Sequence, residues 1–249
     1  MSRIRVLNTE VDNLTMAEAV ATVRTITLKN RHGGGSSYVV TPNLDHLVNL
    51  DEDAALRAAY EDAELILPDG ASILWLARLQ GTPLKEKVSG SDLFPHVCNM
   101  AEKEGLSLFL LGAAPGVADM AAENILERNP MLTISGTYSP PYGFEADEEE
   151  IRKTIDAVTS AAPDILAIAL GDKKGEIFIH QYRTQLCVPI SLSIGATLDF
   201  ESKTKRRAPA WMSKAGLEWL YRTFQEPRRI GSRVLKDIRR LPGLVVKYR

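Results

Sequence analysis

The sequence contains little cysteine and no long apolar stretch. Its 249 residues include only two cysteines, Cys98 and Cys187, which lie far apart and form no Cys-x-x-Cys pair. This spacing argues against a disulfide framework and gives no support to a zinc site. No apolar run approaches the roughly 20 residues that a spanning helix needs, and no signal peptide is recognisable at the N-terminus. These absences predict a cytoplasmic protein without a membrane span.

Signatures of several enzyme classes are also missing. The four histidines show neither His-x-x-x-His nor His-Glu-x-x-His spacing, and no Gly-x-Ser-x-Gly elbow is present. Neither a zinc-dependent hydrolase nor a serine hydrolase is therefore indicated. The Gly112-x-x-x-Gly116 spacing matches neither the dinucleotide fingerprint nor a P-loop, so a nucleotide-dependent oxidoreductase and an ATPase lack their usual signatures. We expect no cofactor and a mechanism that needs no metal.

The charge is distributed unevenly along the chain. Residues 203–249 contain fourteen Lys and Arg against three acidic residues, a net charge of +11, whereas residues 1–202 contain sixteen basic and twenty-nine acidic residues, a net charge of −13. Such a cationic segment attracts nucleic acid, acidic lipid head groups or a phosphate-bearing substrate.

Apolar residues recur at helical spacing within this basic segment. They are Leu217, Leu220, Tyr221 and Phe224 before Pro227, and Ile230, Val234, Leu235, Ile238 and Leu241 after it. The pattern predicts a pair of amphipathic basic helices that either pack on their own domain or lie at a membrane interface. Nucleic acid is the least favoured partner, because no recognised binding module is present.

The first four-fifths of the chain alternate between short apolar runs and helical patterns. The candidate strands are "IRVL", "SYVVTPN", "AELILPDG", "LSLFLLG", "LTISGTY", "DILAIALG" and "PISLSIGA". This alternation predicts an α/β fold with a largely parallel sheet, in which ligands bind at the carboxyl ends of the strands. A capping box at Thr15 and Glu18 predicts a helix that begins there and runs to about Leu28, and "RHGGGSS" after it is expected to be a flexible connection.

Polar residues follow several of these candidate strands. "VVTPNLDH" and "LPDG" place Thr41, Asn43 and Asp69 where they can converge on one pocket, although both stretches are also ordinary turn compositions. Gly112, in "LFLLGAAPGVADM", lies in a strand–turn–helix element whose backbone amides can hold a diphosphate. Lys174, in "LGDKKGE", is either a phosphate contact or a solvated turn lysine.

The order of these motifs, together with the long final block, resembles the WecG/TagA/CpsF family, glycosyltransferase family 26, of bacterial envelope polysaccharide and teichoic-acid synthesis. The matching pieces are "VTPNLDH", "AELILPDG", "VSGSDLFP", "FLLGAAPGVA", "IGATLDF" and "RRAPAWMSKAGLEWLYRTFQEPRR". The resemblance covers nearly the whole chain. It implies a Rossmann-like core over residues 1–202 and a C-terminal helical appendage over residues 203–249 that associates with the membrane.

The resemblance also implies an activity and a set of partners. These are inverting, metal-independent transfer of a sugar from a UDP-sugar to a polyprenyl-diphosphate-linked saccharide, at the cytoplasmic face of the membrane. The expected donor sugars are N-acetylmannosamine, its uronic acid and glucose. Self-association is a further expectation, with the apolar stripe covered by a second subunit. The alternative is a non-catalytic protein that binds a nucleotide sugar or a membrane lipid.

Individual residues take roles from the same resemblance. Asp69 matches the position of the proposed catalytic base, and Thr41 and Asn43 match the neighbouring substrate-binding motif. The further matches to substrate-binding positions are Lys174, Glu176, Arg206, Arg207, Arg222, Arg228 and Arg229. Among the arginines, Arg222 and Arg229 are the strongest candidates to bind the diphosphates.

Two stretches depart from the family pattern. Gly175 stands where the family usually has glutamine, and Phe178 where it has tryptophan. Thr197 and Ser202 alter a second motif. These changes bear first on the choice of donor sugar and second on activity itself.

Overall fold

The computed structural model describes residues 2–171, 173–209, 212 and 217–248, and the side chains of Arg222, Arg228 and Arg229 lie outside the described part. The chain begins with a small hairpin in which β1 (Arg3–Val6) pairs antiparallel with β2 (Thr9–Asp12). The sequence predicts β1 but not β2. The hairpin forms a two-stranded sheet of its own.

The main sheet has six parallel strands in the order β4-β3-β8-β7-β5-β6. They are β3 (Ser37–Val40), β4 (Leu65–Ile66), β5 (Ser107–Gly112), β6 (Thr133–Tyr138), β7 (Ile165–Ala169) and β8 (Ile190–Ser193). Each lies within one of the predicted strands. Since all six run in the same direction, the turns that follow them meet at one edge of the sheet. The predicted α/β, Rossmann-like fold class is confirmed.

Helices cover both faces of this sheet. In the core they are α1 (Met16–Gly33), α2 (Leu44–Leu50), α3 (Ala54–Glu61), α4 (Ala71–Leu79), α5 (Gly90–Glu104), α6 (Val117–Arg128), α7 (Glu148–Ala161), α8 (Lys174–Leu186) and α9 (Thr197–Glu201). The sheet and its helices enclose two buried apolar clusters. Successive strand residues contribute to different clusters: Val39 belongs to one, and Tyr38 and Val40 belong to the other.

The start of α1 confirms the predicted capping box. The Thr15 hydroxyl accepts from the Glu18 amide at 3.3 Å, and the Glu18 carboxylate accepts from the Thr15 amide at 2.8 Å. The helix then continues to Gly33, past the expected end at Leu28, and stops where Gly34 takes a left-handed conformation with φ of 70°. The first part of "RHGGGSS" is therefore helical rather than a loop.

The appendage forms α10 (Glu218–Gln225) and α11 (Pro227–Lys247), which pack against each other. Helix α11 also packs along α2, with Leu244 buried in the same apolar cluster as Tyr38. Leu235 and Ile238, on the same helix, are exposed. One face of α11 thus covers the core and another faces outward. Among the helices of described residues, none has both the length and the apolar character needed to span a bilayer.

Candidate functional site

The turns after β3 and β4 are joined directly. The Asp69 amide donates to the Pro42 carbonyl at 2.9 Å, and the Leu67 amide donates to the Val40 carbonyl at 2.9 Å. Asp69 is half-buried, and Gly70 after it starts α4 with φ of 99°, a conformation that favours glycine. The structure therefore brings the Asp69 backbone beside the turn that carries Thr41 and Asn43, as the sequence predicts.

Asn43 has a structural role at this edge. Its side-chain oxygen accepts from the His46 amide at 3.2 Å and caps the N-terminus of α2. The bond fixes the carboxamide at the start of the helix. A contact between Asn43 and substrate stays a prediction, as does one from Thr41, which is buried and donates weakly to the Ser193 carbonyl at 3.5 Å.

Glu176 enters the same region from the first turn of α8. Its carboxylate is 2 % exposed and accepts from the Ser193 hydroxyl at 2.8 Å. Its second oxygen, Oε2, is buried and makes no hydrogen bond within the part of the chain that the structure describes. A buried carboxylate oxygen favours a donor, and a ligand that enters this edge can supply one. The start of α8 also favours the negative charge through the helix dipole.

The departure at Gly175 has a physical cause in this structure. A Cβ atom at that position would lie 3.1 Å from the Ser193 hydroxyl oxygen, which is tighter than ordinary contact, and 3.4 Å from Ile168 Cγ2. Glycine thus leaves the space in which Ser193 reaches Glu176. The departures at Thr197 and Ser202 make local bonds, to the Ile194 carbonyl and to the Asp199 carbonyl respectively.

A buried pair behind this edge escapes sequence reasoning. His46 Nδ1 lies 2.7 Å from the Tyr60 hydroxyl. Burial holds the pKa of the Tyr60 hydroxyl well above its ordinary value, and nearby carboxylates add to the shift: Glu176, Asp69 and Asp45. Tyr60 therefore stays protonated, and its hydroxyl group shares a hydrogen bond with His46 Nδ1. In the sequence Tyr60 is one apolar position of an amphipathic helix, so only the fold reveals its proximity to three carboxylates.

The lysines after β7 are engaged in ion pairs. Lys174 pairs with Glu145, and its Nζ also lies 4.8 Å from the centre of the Tyr142 ring. Lys173 pairs with Asp53. Each lysine thus has an acidic partner within the chain, and the binding of a phosphate by Lys174 stays a prediction.

Gly112 also has a packing role. It adopts φ of 106°, and a Cβ atom there would lie 2.6 Å from the Ala169 carbonyl oxygen. The close approach of β5 to the end of β7 therefore requires glycine at this position. Its predicted contact with a diphosphate remains untested by this geometry.

The stretch Asp51-Glu52-Asp53 has the Asp-x-Asp spacing of many nucleotide-bound metal sites. Asp51 accepts from the Tyr248 hydroxyl at 2.6 Å and from Lys247 Nζ at 2.9 Å. Asp53 caps α3 through the amides of Ala55 and Leu56. Both carboxylates therefore bind groups of the protein itself. Across the described residues, no group of three or more His, Cys, Asp or Glu side chains is placed to hold a metal ion.

Arg207 contacts the N-terminal part of α5. It forms an ion pair with Asp92 and donates to the Ser91 hydroxyl at 3.2 Å. Burial opposes ionisation of Asp92, but hydrogen bonds from Lys87 and Ser89, with the charges of Lys87 and Arg207, lower its pKa to about 2. The Val88 amide donates to the Pro68 carbonyl at 2.9 Å, which links this segment to the Asp69 turn.

The remaining predicted arginines are Arg206, Arg222, Arg228 and Arg229. Arg206 is exposed, and its carbonyl accepts from Gln225 Nε2 at 3.2 Å. The side chains of Arg222, Arg228 and Arg229 lie outside the described part of the chain. The structure therefore leaves their contacts with a diphosphate as predictions.

Two cavities adjoin Arg207. One, of about 1250 Å³, runs between α1 and α5 and is bordered by Lys87 and Asp92. The other, of about 390 Å³, is bordered by Arg128 and Lys203. Neither of these two cavities is lined by Asp69. The candidate catalytic edge is thus separate from both, while Arg207 lies at the margin of each.

Comparisons with known proteins give this edge a chemical context. A chain from Bacillus spizizenii is 30% identical over 193 residues, which is 78% of this chain and 73% of the relative. A chain from Bacillus subtilis is 34% identical over 167 residues, which is 67% of this chain and 63% of the relative. A third, from Staphylococcus aureus, is 23% identical over 231 residues, 92% and 87% of the two chains. All three are named N-acetylglucosaminyldiphosphoundecaprenol N-acetyl-beta-D-mannosaminyltransferase.

The match to the family extends across the appendage. The sequence model of the glycosyl transferase WecG/TagA/CpsF family covers residues 4–249, and so includes the Asp69 turn, α8 and both C-terminal helices. The chain belongs to the WecG/TagA/CpsF family of glycosyl transferases.

Proposed function

We propose that this chain transfers N-acetylmannosamine from its UDP-sugar to N-acetylglucosaminyl-diphospho-polyprenol. The names of the three relatives support this acceptor and this sugar over the uronic acid and glucose. A nucleotide sugar with an α linkage gives a β product by a single displacement, so the mechanism is inverting. The product is a lipid-linked disaccharide for an envelope polymer.

Asp69 acts as the general base. The observation that carries this assignment is the bond from the Asp69 amide to the Pro42 carbonyl, which holds a half-buried carboxylate beside the turn of Thr41 and Asn43. The carboxylate takes the proton from the acceptor hydroxyl as that oxygen attacks the anomeric carbon. UDP leaves from the opposite face of the sugar. Thr41, Asn43 and Glu176 orient the sugar at the same edge.

Cations of the appendage stabilise the diphosphates, and no metal takes part. Arginine supplies paired donors that match phosphate oxygens, and it stabilises the charge that develops on the leaving group. Arg222 and Arg229 are the leading candidates, with Arg206, Arg207 and Arg228 beside them in the sequence. The exposed apolar and basic residues of α10 and α11 hold the protein peripherally at the cytoplasmic face of the membrane.

The decisive assay combines the intact chain, UDP-N-acetylmannosamine and a short-chain polyprenyl-diphosphate N-acetylglucosamine, with the product identified by mass. Asp69→Asn should lower kcat by about 100-fold or more, because it removes the base but keeps the shape. Calorimetry should show that the variant still binds UDP. Asp156→Asn, an exposed position on α7, is the matched control and should transfer normally.

Three outcomes would contradict the proposal. Full activity of Asp69→Asn would remove Asp69 from the role of base. An intact chain that binds UDP but transfers no sugar would instead be the non-catalytic binding protein. Transfer that chelation by EDTA abolishes and Mg²⁺ restores would overturn the metal-independent mechanism.

A further inference from the structure

The larger of the two cavities follows helices α1 and α5, which run side by side. The Met16 amide, at the start of α1, donates to the Glu86 carboxylate at 2.8 Å, just before α5 begins. Further along, Arg24 of α1 forms an ion pair with Glu104 at the end of α5, at 2.7 Å. All four residues line the cavity. Its volume of about 1250 Å³ exceeds the roughly 300–1,000 Å³ of a typical small-molecule site.

Much of the lining of this cavity is apolar. Met16 and Val20 of α1 are half-buried there, and Met100 of α5 is buried. Ala17 and Ala21 also line the cavity and are exposed, and they lie about one helical turn apart. Their small side chains leave the cavity open, while methionine adapts to irregular apolar ligands because its side chain is unbranched and flexible. The cavity therefore suits a flexible hydrocarbon chain.

Two cations lie together at one end of the cavity. Lys87 Nζ is 2.8 Å from the Asp92 carboxylate, and Arg207 pairs with the same carboxylate. Two positive charges therefore face one carboxylate, while the other carboxylates of the lining, Glu86 and Glu104, have the partners given above. A ligand with an anionic head group and an apolar tail fits this distribution, with its head group at Lys87 and Arg207.

The backbone joins this cationic end to the turn that carries Asp69. The Val88 amide donates to the Pro68 carbonyl at 2.9 Å, and these two residues adjoin Lys87 and Asp69. Standard backbone dimensions then place the Cα atoms of Lys87 and Asp69 no more than about 15 Å apart. A hexose with its diphosphate spans a comparable distance. One ligand can therefore present a sugar to Asp69, a diphosphate to the two cations and a hydrocarbon chain to the cavity.

We propose that this cavity binds the polyprenyl chain of the acceptor: the first isoprene units lie between α1 and α5, and the diphosphate lies at Lys87 and Arg207. The identity of this ligand rests on the proposed function, because the acceptor is inferred from the names of the relatives. Lys87 belongs to the core and Arg207 to the appendage, so both parts of the chain hold the acceptor. The site is specific for the lipid and leaves the sugar to the catalytic edge.

Direct binding tests this site without any sugar transfer. The probes are geranylgeranyl diphosphate and the much shorter dimethylallyl diphosphate, each added to the full-length chain below its micelle-forming concentration and followed by calorimetry. The longer probe should bind about tenfold or more tightly, because it buries more apolar surface. Ala21→Trp, which fills the cavity from an exposed position, should reduce this ratio to about threefold or less. Thr25→Trp, exposed on the same helix and outside the lining, is the matched control and should keep the ratio. Arg207→Gln should weaken both probes by a similar factor, because they share the diphosphate.

The transfer assay then relates the cavity to the reaction. With acceptors of the same two chain lengths, Ala21→Trp should raise KM for the long acceptor and leave KM for the short one unchanged, whereas a misfolded variant would lose activity with both. Equal binding of the two probes to the intact chain, or an unchanged ratio in Ala21→Trp, would overturn the proposal. So would a change of oligomeric state in Ala21→Trp without a change in the ratio, which would make the cavity an interface between copies. If the intact chain transfers no sugar, the proposed function fails, but the binding ratios still decide whether the cavity takes a prenyl chain.

Discussion

The edge of the sheet and the appendage differ in the sign and the use of their charges. At the edge, Glu176 is a buried carboxylate and the nearby Lys173 and Lys174 are paired with acidic side chains. The appendage carries a net charge of +11, whereas residues 1–202 carry −13. The proposed donor and the proposed acceptor each carry a diphosphate. The reaction therefore needs cations as well as a carboxylate base. We infer that proton transfer belongs to the core and charge neutralisation to the appendage.

The two faces of α11 extend this comparison. The inward face meets the core through Leu244, which is buried in the apolar cluster, and it also carries the buried Asp237. The outward face leaves Leu235 and Ile238 about half exposed, at 49% and 56%. A helix buried on one side and apolar on the other can dock on its own domain and contact a lipid surface at once. The two alternatives that the sequence leaves open are therefore compatible.

Among the changes that test this comparison, the largest effect is expected from removing the cations of the appendage. Arg222→Gln with Arg229→Gln should lower the rate of transfer by about 100-fold, because the charge of the departing UDP is no longer stabilised. The transfer assay at saturating acceptor measures this loss. Arg152→Gln with Lys153→Gln, on α7 of the core, removes the same charge and is the control. Equal losses in the two double variants would show that net charge alone matters and would break the division between core and appendage.

Much of this organisation could be predicted from the sequence. Each strand of the main sheet lies in an apolar run bounded by turn residues, so the local sequence pattern is sufficient to predict the strands. The partner strand β2 escaped prediction because Thr9–Asp12 is short and its pairing depends on a neighbour rather than on its own composition. The polar residues at the strand ends group Thr41, Asn43 and Asp69 as candidates because parallel strands share an edge, whereas the role of Asp69 as a base comes from the family resemblance and stays a prediction.

The docking contacts of the appendage could not be predicted in the same way. In the sequence of α11, Asp237 has the pattern of an ordinary polar residue of an amphipathic helix, so nothing predicts that it is buried. Its burial depends on where α11 meets α2, which is a tertiary property. Likewise, Lys174 pairs with Glu145, which lies 29 positions earlier in the sequence, so the sequence alone leaves a solvated lysine and a phosphate contact equally reasonable.

A smaller effect is expected from the outward apolar face. Replacing Phe224, Leu235 and Ile238 together by Ser should weaken binding to vesicles of anionic lipid by about tenfold or more, because three exposed apolar groups no longer enter the interface. Co-sedimentation with vesicles measures the change. Leu79→Ser with Met131→Ser is the control, since both residues are 81% exposed on the core. If the control weakens binding equally, the membrane-facing surface is not confined to the appendage.

The smallest effect is expected at a cation of the core. Lys174→Gln should change the rate of transfer by less than about threefold, because Lys174 already pairs with Glu145 at a partly exposed site, where such pairs contribute little. Its KM for the UDP-sugar should be nearly unchanged. Glu145→Gln tests the same pair from the other side: if the pair withholds Lys174 from substrate, releasing the lysine should lower KM. A loss in Lys174→Gln as large as that of the arginine double variant would place phosphate binding in the core, and the appendage would then be required for docking and membrane contact alone.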